Sequence, residues 1–170
     1  SYVIVGLLFY KTRLKNLSLI LISLGLGTAL MHSTLRYYGQ WLDELSMLVL
    51  SFYIIKEIKR LRFKKIISDF YLLLLILPYF TFEGYFCYFF LVFISLQVYT
   101  YIIVQKDYKD YSKGEYLLVK GYSGVLIFSS LCWVIDQLFC ESVRNYQLHA
   151  VWHVGTALSI LMGLTALLIK

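Results

Sequence analysis

Charge is scarce in this chain, and proline is almost absent. Only 15% of the 170 residues are Asp, Glu, Lys or Arg, against about 25% in an average globular protein. A soluble fold of this size would lack a polar shell. One Pro and ten Gly are too little punctuation for a disordered or low-complexity chain. No internal repeat, Gly/Ser linker or shift of composition divides the sequence, so residues 1–170 read as one domain. Of three Cys, none stands in a CxxC pair. Cys87 and Cys132 fall inside apolar runs and read as small buried hydrophobes.

What is present in excess is apolar surface: 60% hydrophobic residues, 18% aromatic, and a mean hydropathy of +0.72. Lipid is the solvent that fits. Seven apolar segments follow one another, at Tyr2–Tyr10, Asn16–Leu35, Trp41–Ile55, Ile66–Phe82, Tyr85–Val104, Leu117–Phe139 and Leu148–Ile169. They predict an all-α polytopic bundle of seven membrane helices. The first segment is too short to span and begins without an initiator Met. It is read as the tail of a helix whose beginning, with whatever precedes it, lies outside this chain. No signal-peptide pattern follows it.

The net charge of +6 does not point to nucleic acid. Its residues sit in short clusters between apolar runs instead of along one face. Loops near residues 11–15, 56–65 and 105–120, together with Lys170, hold 14 of the 16 Lys and Arg. Arg36 and Arg144 are alone on the opposite side. The positive-inside rule then places the C-terminus in the cytosol. The stretch from Lys106 to Glu115 reads as a solvated cytosolic loop without a partner.

Ionisable groups within apolar segments are functional candidates by default, and here they gather at one end. His32 closes the second segment, Asp43 and Glu44 open the third, Asp136 lies late in the sixth, and His149 and His153 open the seventh. His149 and His153 are four residues apart, so a helix puts both rings on one face. His32 is the remaining imidazole. Three His with a fourth position open is the ligand set of catalytic zinc, which makes hydroxide available near neutral pH. Asp43 is placed to accept the water's proton and return it to a leaving amine. Glu44 points elsewhere on its helix, toward the loop or a polar neighbour. Asp136 is read as structural, bonding across helices near the site. Glu141, Arg144 and Asn145 form a lumenal turn.

Three blocks carry a resemblance. Met31-His32-Ser33-Thr34-Leu35 with Gln40-Trp41-Leu42-Asp43-Glu44-Leu45 resembles the signature of the alkaline ceramidase family. Trp133 through Ser142 resembles a second block, and Leu148-His149-Ala150-Val151-Trp152-His153 a third. Between about 55 and 115 the likeness is only that of hydrophobic helices.

The resemblance implies a seven-helix hydrolase that cleaves the ceramide amide to a sphingoid base and a fatty acid. In it His32, His149 and His153 hold Zn2+ and Asp43 is the acid/base residue. Thr28 stands where the family has a Ser that steadies the oxyanion. Ser46 stands where many members have Pro. The family's calcium-binding acidic segment has no counterpart in this chain, so any Ca2+ site belongs to a longer protein. The family also pairs a Cys at position 140 with one near the N-terminus, and no partner for Cys140 is visible here.

The expected partners are ceramide or a related sphingolipid and the bilayer, with no nucleic acid or protein partner. The expected compartment is the endoplasmic reticulum or Golgi, with the active site on the lumenal side. The rivals are a zinc-containing seven-helix lipid receptor, which would have inverted topology, and a related membrane hydrolase acting on another lipid.

Overall fold

A computed structural model describes residues 1–81, 85–106 and 110–169. Among them are seven α-helices and no strand: α1 (Tyr2–Phe9), α2 (Lys15–Thr34), α3 (Tyr37–Phe63), α4 (Phe70–Thr81), α5 (Tyr85–Lys106), α6 (Lys113–Val143) and α7 (Leu148–Ile169). All seven apolar segments are found as helices, and the chain is an all-α polytopic protein. By length and composition α2, α5, α6 and α7 can cross a membrane. The helix α4 has only 12 residues and contains Pro78. The 27 residues of α3 continue past the apolar run through Lys56, Lys59, Arg60 and Arg62. That extension sets a basic end apart from the bilayer-facing stretch.

The helices end where the backbone leaves helical space. Leu35 and Lys64, after α2 and α3, take left-handed φ values of 51° and 53°. The turn Arg144–Tyr146 closes α6, and Gln147 (φ 52°) leads into α7. Each of these non-glycine residues reverses the chain within a very short connection.

The helices form an incomplete ring. α1 packs on α2 and α7, α2 on α3, α3 on α4 and α5, and α6 on α7. Two apolar cavities, of about 350 and about 360 Å³, lie between α5 and α6. Small polar side chains fasten the tight seams: the Ser18 hydroxyl donates to the Gly6 carbonyl (2.6 Å), and Ser159 donates to Tyr122 (3.0 Å). With no water in hydrocarbon, such bonds join helices directly. Toward the basic end the core is aliphatic, with Leu17, Leu21, Ile55, Ile58, Ile103 and Leu164 buried together. A second cluster of Leu48, Tyr79, Phe89, Phe93, Trp133 and Trp152 is mostly aromatic. The outer surface stays apolar, with Leu7, Leu26, Leu91, Phe128 and Leu138 exposed, as lipid requires.

Two expectations change. The stretch Lys106–Glu115 is not a solvated loop throughout. Asp107, Tyr108 and Lys109 lie outside the described residues, but α6 already begins at Lys113. Ser112 and Glu115 form a capping box there, with each side chain accepting from the other's backbone N–H (3.2 and 2.9 Å). Glu115 is buried and pairs with Arg62 of α3 at 3.4 Å, and the Arg62 guanidinium stacks 4.0 Å from the Tyr111 ring centre. The alternating charges hid a partner on a distant helix. Cys87 is exposed where burial was expected, although Cys132 is buried. An apolar run in a bilayer does not tell an inward face from a lipid-facing one.

Gly39, near the start of α3, sits against α2 so closely that a Cβ there would lie 2.8 Å from Met31 Cα and 2.9 Å from its N. Backbone cannot move aside as a side chain can. Gly39→Ala is therefore expected to destabilise the protein by about 1–3 kcal/mol, read as a lower unfolding temperature in detergent.

Candidate metal centre

The polar end of the bundle is built from two helix hairpins. Gly27 lets α2 approach α3, since a Cβ at Gly27 would lie 3.1 Å from the Asp43 amide nitrogen. One residue on, the Thr28 hydroxyl is within hydrogen-bonding distance of the Leu24 carbonyl (2.9 Å) and donates to Asp43 Oδ1. His32 is one helical turn beyond Thr28, on the same face, and lies within electrostatic range of Asp43. Asp43 itself is 7% exposed, so Thr28 orients a carboxylate that water scarcely reaches.

The second hairpin, α6–α7, supplies the other two imidazoles. His149 and His153 lie with ring centroids 4.8 Å apart, and each is close to His32, at 5.1 and 5.2 Å. One ring nitrogen from each of the three lies within 4.8 Å of the others, and His32 Nε2 is 3.1 Å from His153 Nε2. Trp152, between the two, stacks on Trp133 of α6 (5.3 Å, 21° between planes) and meets Phe93 of α5 edge-on. That packing fixes the rotation of α7 and so aims both histidines inward.

Each of the α7 imidazoles has an outer partner. Asp136 Oδ2 is 3.5 Å from His149 Nδ1, which agrees with the expected structural role of Asp136 across the α6–α7 seam. The Tyr2 hydroxyl lies 3.3 Å from His153 Nδ1 and 2.6 Å from Thr156 Oγ1, which in turn donates to the Trp152 carbonyl at 2.6 Å. One proton assignment satisfies this chain from end to end: Nδ1–H to Tyr2, Tyr2 to Thr156, Thr156 to the backbone. It leaves His153 Nε2 as a bare lone pair pointing at His32.

The structure thus brings together His32, His149, His153, Asp43, Thr28 and Asp136. Of the two settings expected for it, the loop or a polar neighbour, Glu44 takes the second. Its carboxylate is 4% exposed and accepts from Gln40 (2.8 Å) and the Tyr79 hydroxyl (2.7 Å), which fastens α4 to α3 beside Asp43. Sequence reasoning missed Tyr2, Thr156 and Tyr79. Only the i+3 spacing of Thr156 from His153 was a usable signal; Tyr2 and Tyr79 were two tyrosines among 16. Cys140 is exposed and unpaired, and Glu141, Arg144 and Asn145 fall at the exposed α6–α7 turn.

A helical membrane protein with three imidazoles and a buried carboxylate at one end is a narrow class. Within it, the family model described as Ceramidase matches residues 5–169, and the chain belongs to that family. A Dictyostelium discoideum protein described as "Putative alkaline ceramidase dcd3A" is 29% identical over 182 aligned positions, covering 88% of this chain and 61% of the relative. The chain spans about three fifths of that relative's length.

Tyr79→Phe removes a donor from a buried carboxylate. The expected result is a loss of about 1–3 kcal/mol of stability, checked by thermal unfolding in detergent, with Tyr88→Phe as a less buried comparison.

Proposed function

We propose that the chain hydrolyses the amide bond of ceramide within the bilayer, with His32, His149 and His153 holding a zinc ion. The observation that carries this reading is the meeting of three imidazoles from α2 and α7 beside the buried Asp43 and its partner Thr28. The donor chemistry fits the metal. Zn–N bonds of about 2.0–2.1 Å at a tetrahedral angle place two nitrogens about 3.3 Å apart. The His32–His153 pair, at 3.1 Å, already meets this. With the three nitrogens within 4.8 Å of one another, a side-chain shift of roughly 1–2 Å brings the set to shared coordination. The outer partners of His149 and His153 occupy Nδ1, as metal-binding imidazoles require of their other nitrogen. Three protein ligands leave a position open, the mark of a catalytic rather than a structural site.

Bound there, zinc supplies Lewis acidity: it polarises a carbonyl oxygen and lowers the pKa of water to about 7. The protein's own groups then manage protons and position. Asp43 takes a proton from the attacking water as the new C–O bond forms. It returns that proton to the leaving nitrogen as the C–N bond breaks, giving a free fatty acid and a sphingoid base. Thr28 first donates its hydroxyl proton to the Asp43 carboxylate. Once Asp43 is protonated it no longer needs that donor, and the Thr28 hydroxyl is free to turn to the oxyanion.

A substrate with two hydrocarbon chains reaches the site from the membrane. The cavities between α5 and α6 support such a route, since both present mainly apolar surface, with Gln97, Ser123, Ser130 and Gln137 the polar members, and share Val134. The clustering of Lys and Arg at the other end supports an orientation with the metal centre on the lumenal side and the C-terminus in the cytosol, in the endoplasmic reticulum or Golgi.

Removing any ligand, by His32→Ala, His149→Ala or His153→Ala, is expected to remove both bound zinc and ceramide turnover. Asp43→Asn is expected to keep the zinc and lose about 10²–10⁴-fold in rate. Metal analysis beside turnover on ceramide and on a phospholipid checks both. An active Asp43→Asn protein would sink the acid/base role, and cleavage of the phospholipid alone would move the chain to a different hydrolase.

Asp136→Asn should weaken zinc binding by about 10–100-fold while leaving the fold intact. Competition with a chromogenic chelator reads this without reference to activity.

A further inference from the structure

We propose that a pocket at the basic end of the bundle, where the α1–α2 turn meets the last turns of α3, binds the phosphate headgroup of an anionic glycerophospholipid. The pocket is about 270 Å³ and is lined by Arg13, Asn16, Tyr53, Lys56, Glu57 and Arg60, over the buried side chains of Leu14 and Leu17. It lies about 24 Å along α2 from His32, and none of its residues enters the reaction proposed above.

Three features distinguish it from a diffuse charged surface. Its cations are held in place. Arg13 Nη2 donates to the Leu167 carbonyl at 2.5 Å and to Leu168 at 3.3 Å, at the end of α7. Arg60 is gripped by Glu57 through two bonds, of 3.0 and 2.5 Å. Lys56 bonds Asp69 at 2.5 Å and lies over the Tyr53 ring. Groups already ordered lose less freedom on binding, and two of the three are guanidinium forks that match phosphate oxygens. The three cations of the lining also stand against only two carboxylates, Glu57 and the Asp69 that holds Lys56, and with Lys11 and Lys15 close by in sequence the local field still favours an anion. Finally, Tyr10 and Leu19, close by in sequence, are exposed. A lipid headgroup whose acyl chains continue along such apolar surface uses both it and the polar rim, whereas a free phosphate uses only the rim. Basic pockets between membrane helices are the usual seat of such headgroups.

The test is native mass spectrometry of the full chain, purified in detergent and titrated separately with phosphatidylserine, phosphatidylcholine and inorganic phosphate. One phosphatidylserine is expected to stay bound per chain, with neither of the other probes retained at matched concentration. The pair Lys56→Gln/Arg60→Gln should weaken phosphatidylserine binding about tenfold or more. The pair Lys64→Gln/Lys65→Gln removes the same charge from nearby positions that do not line the pocket and should change binding by no more than about twofold, since charges outside direct contact are largely screened. Glu57→Gln should tighten it severalfold by removing the pocket's own anion. A gain of affinity cannot arise from misfolding, so this variant decides the matter if the first pair folds poorly. Equal losses in the two lysine-containing pairs, equal retention of phosphatidylcholine or inorganic phosphate, or no gain in Glu57→Gln would each overturn the proposal. Zinc content and ceramide turnover play no part in the readout, so this test can fail while the hydrolase reading stands, and the reverse.

Discussion

An imidazole or carboxylate in hydrocarbon has no water to turn to, and must be satisfied by the protein or by something the protein holds. That constraint organises the polar end of this bundle. Asp43 finds Thr28, Glu44 finds Gln40 and Tyr79, His149 finds Asp136, and His153 finds Tyr2. The inward nitrogens of the three histidines are left facing one another. Facing imidazole nitrogens need a cation or a shared proton among them, and this supports the proposed metal site.

The rest of the architecture serves that convergence. Gly27 and Gly39 bring α2 against α3 closely enough for Thr28 to reach Asp43, while the Trp133–Trp152 stack sets the rotation of α7. The helix α1, short as it is, closes the ring between α2 and α7 and delivers the Tyr2 hydroxyl. Between α5 and α6 the contact is looser: Phe86 and Phe90 meet Trp133 there, and the two apolar cavities lie along the same seam. The bundle thus combines a polar end held by cross-helix bonds with an apolar side that carries the two cavities.

The two ends also differ in how they treat charge. At the histidine end Asp43 and Glu44 are buried and His149, His153 and Asp136 half-buried, each bonded to another helix, while His32 is exposed and meets them from α2. At the basic end most charges are exposed, and the pairs Lys56–Asp69 and Arg60–Glu57 contribute little stability of their own. Their effect is to hold cations in fixed positions at the membrane surface. Arg62 and Glu115 are the exception, a buried pair that ties α3 to the start of α6.

From the sequence alone, the helical class, all seven apolar segments and the segregation of basic residues were legible, because hydropathy in a membrane protein is dictated by the solvent and is read residue by residue. The spacing of His149 and His153 was legible for the same local reason, a single helix turn. What the sequence did not hold in readable form was every relation between distant helices: the reach of Tyr2 to His153, the Glu44–Tyr79 bond, the Arg62–Glu115 pair and the lipid-facing position of Cys87. An apolar run looks alike from all sides in one dimension. Which of its faces turns inward is decided only when residues such as Gly27 and Gly39, by lacking a Cβ, and Trp152, by its stacking, set how closely and at what rotation two helices can meet.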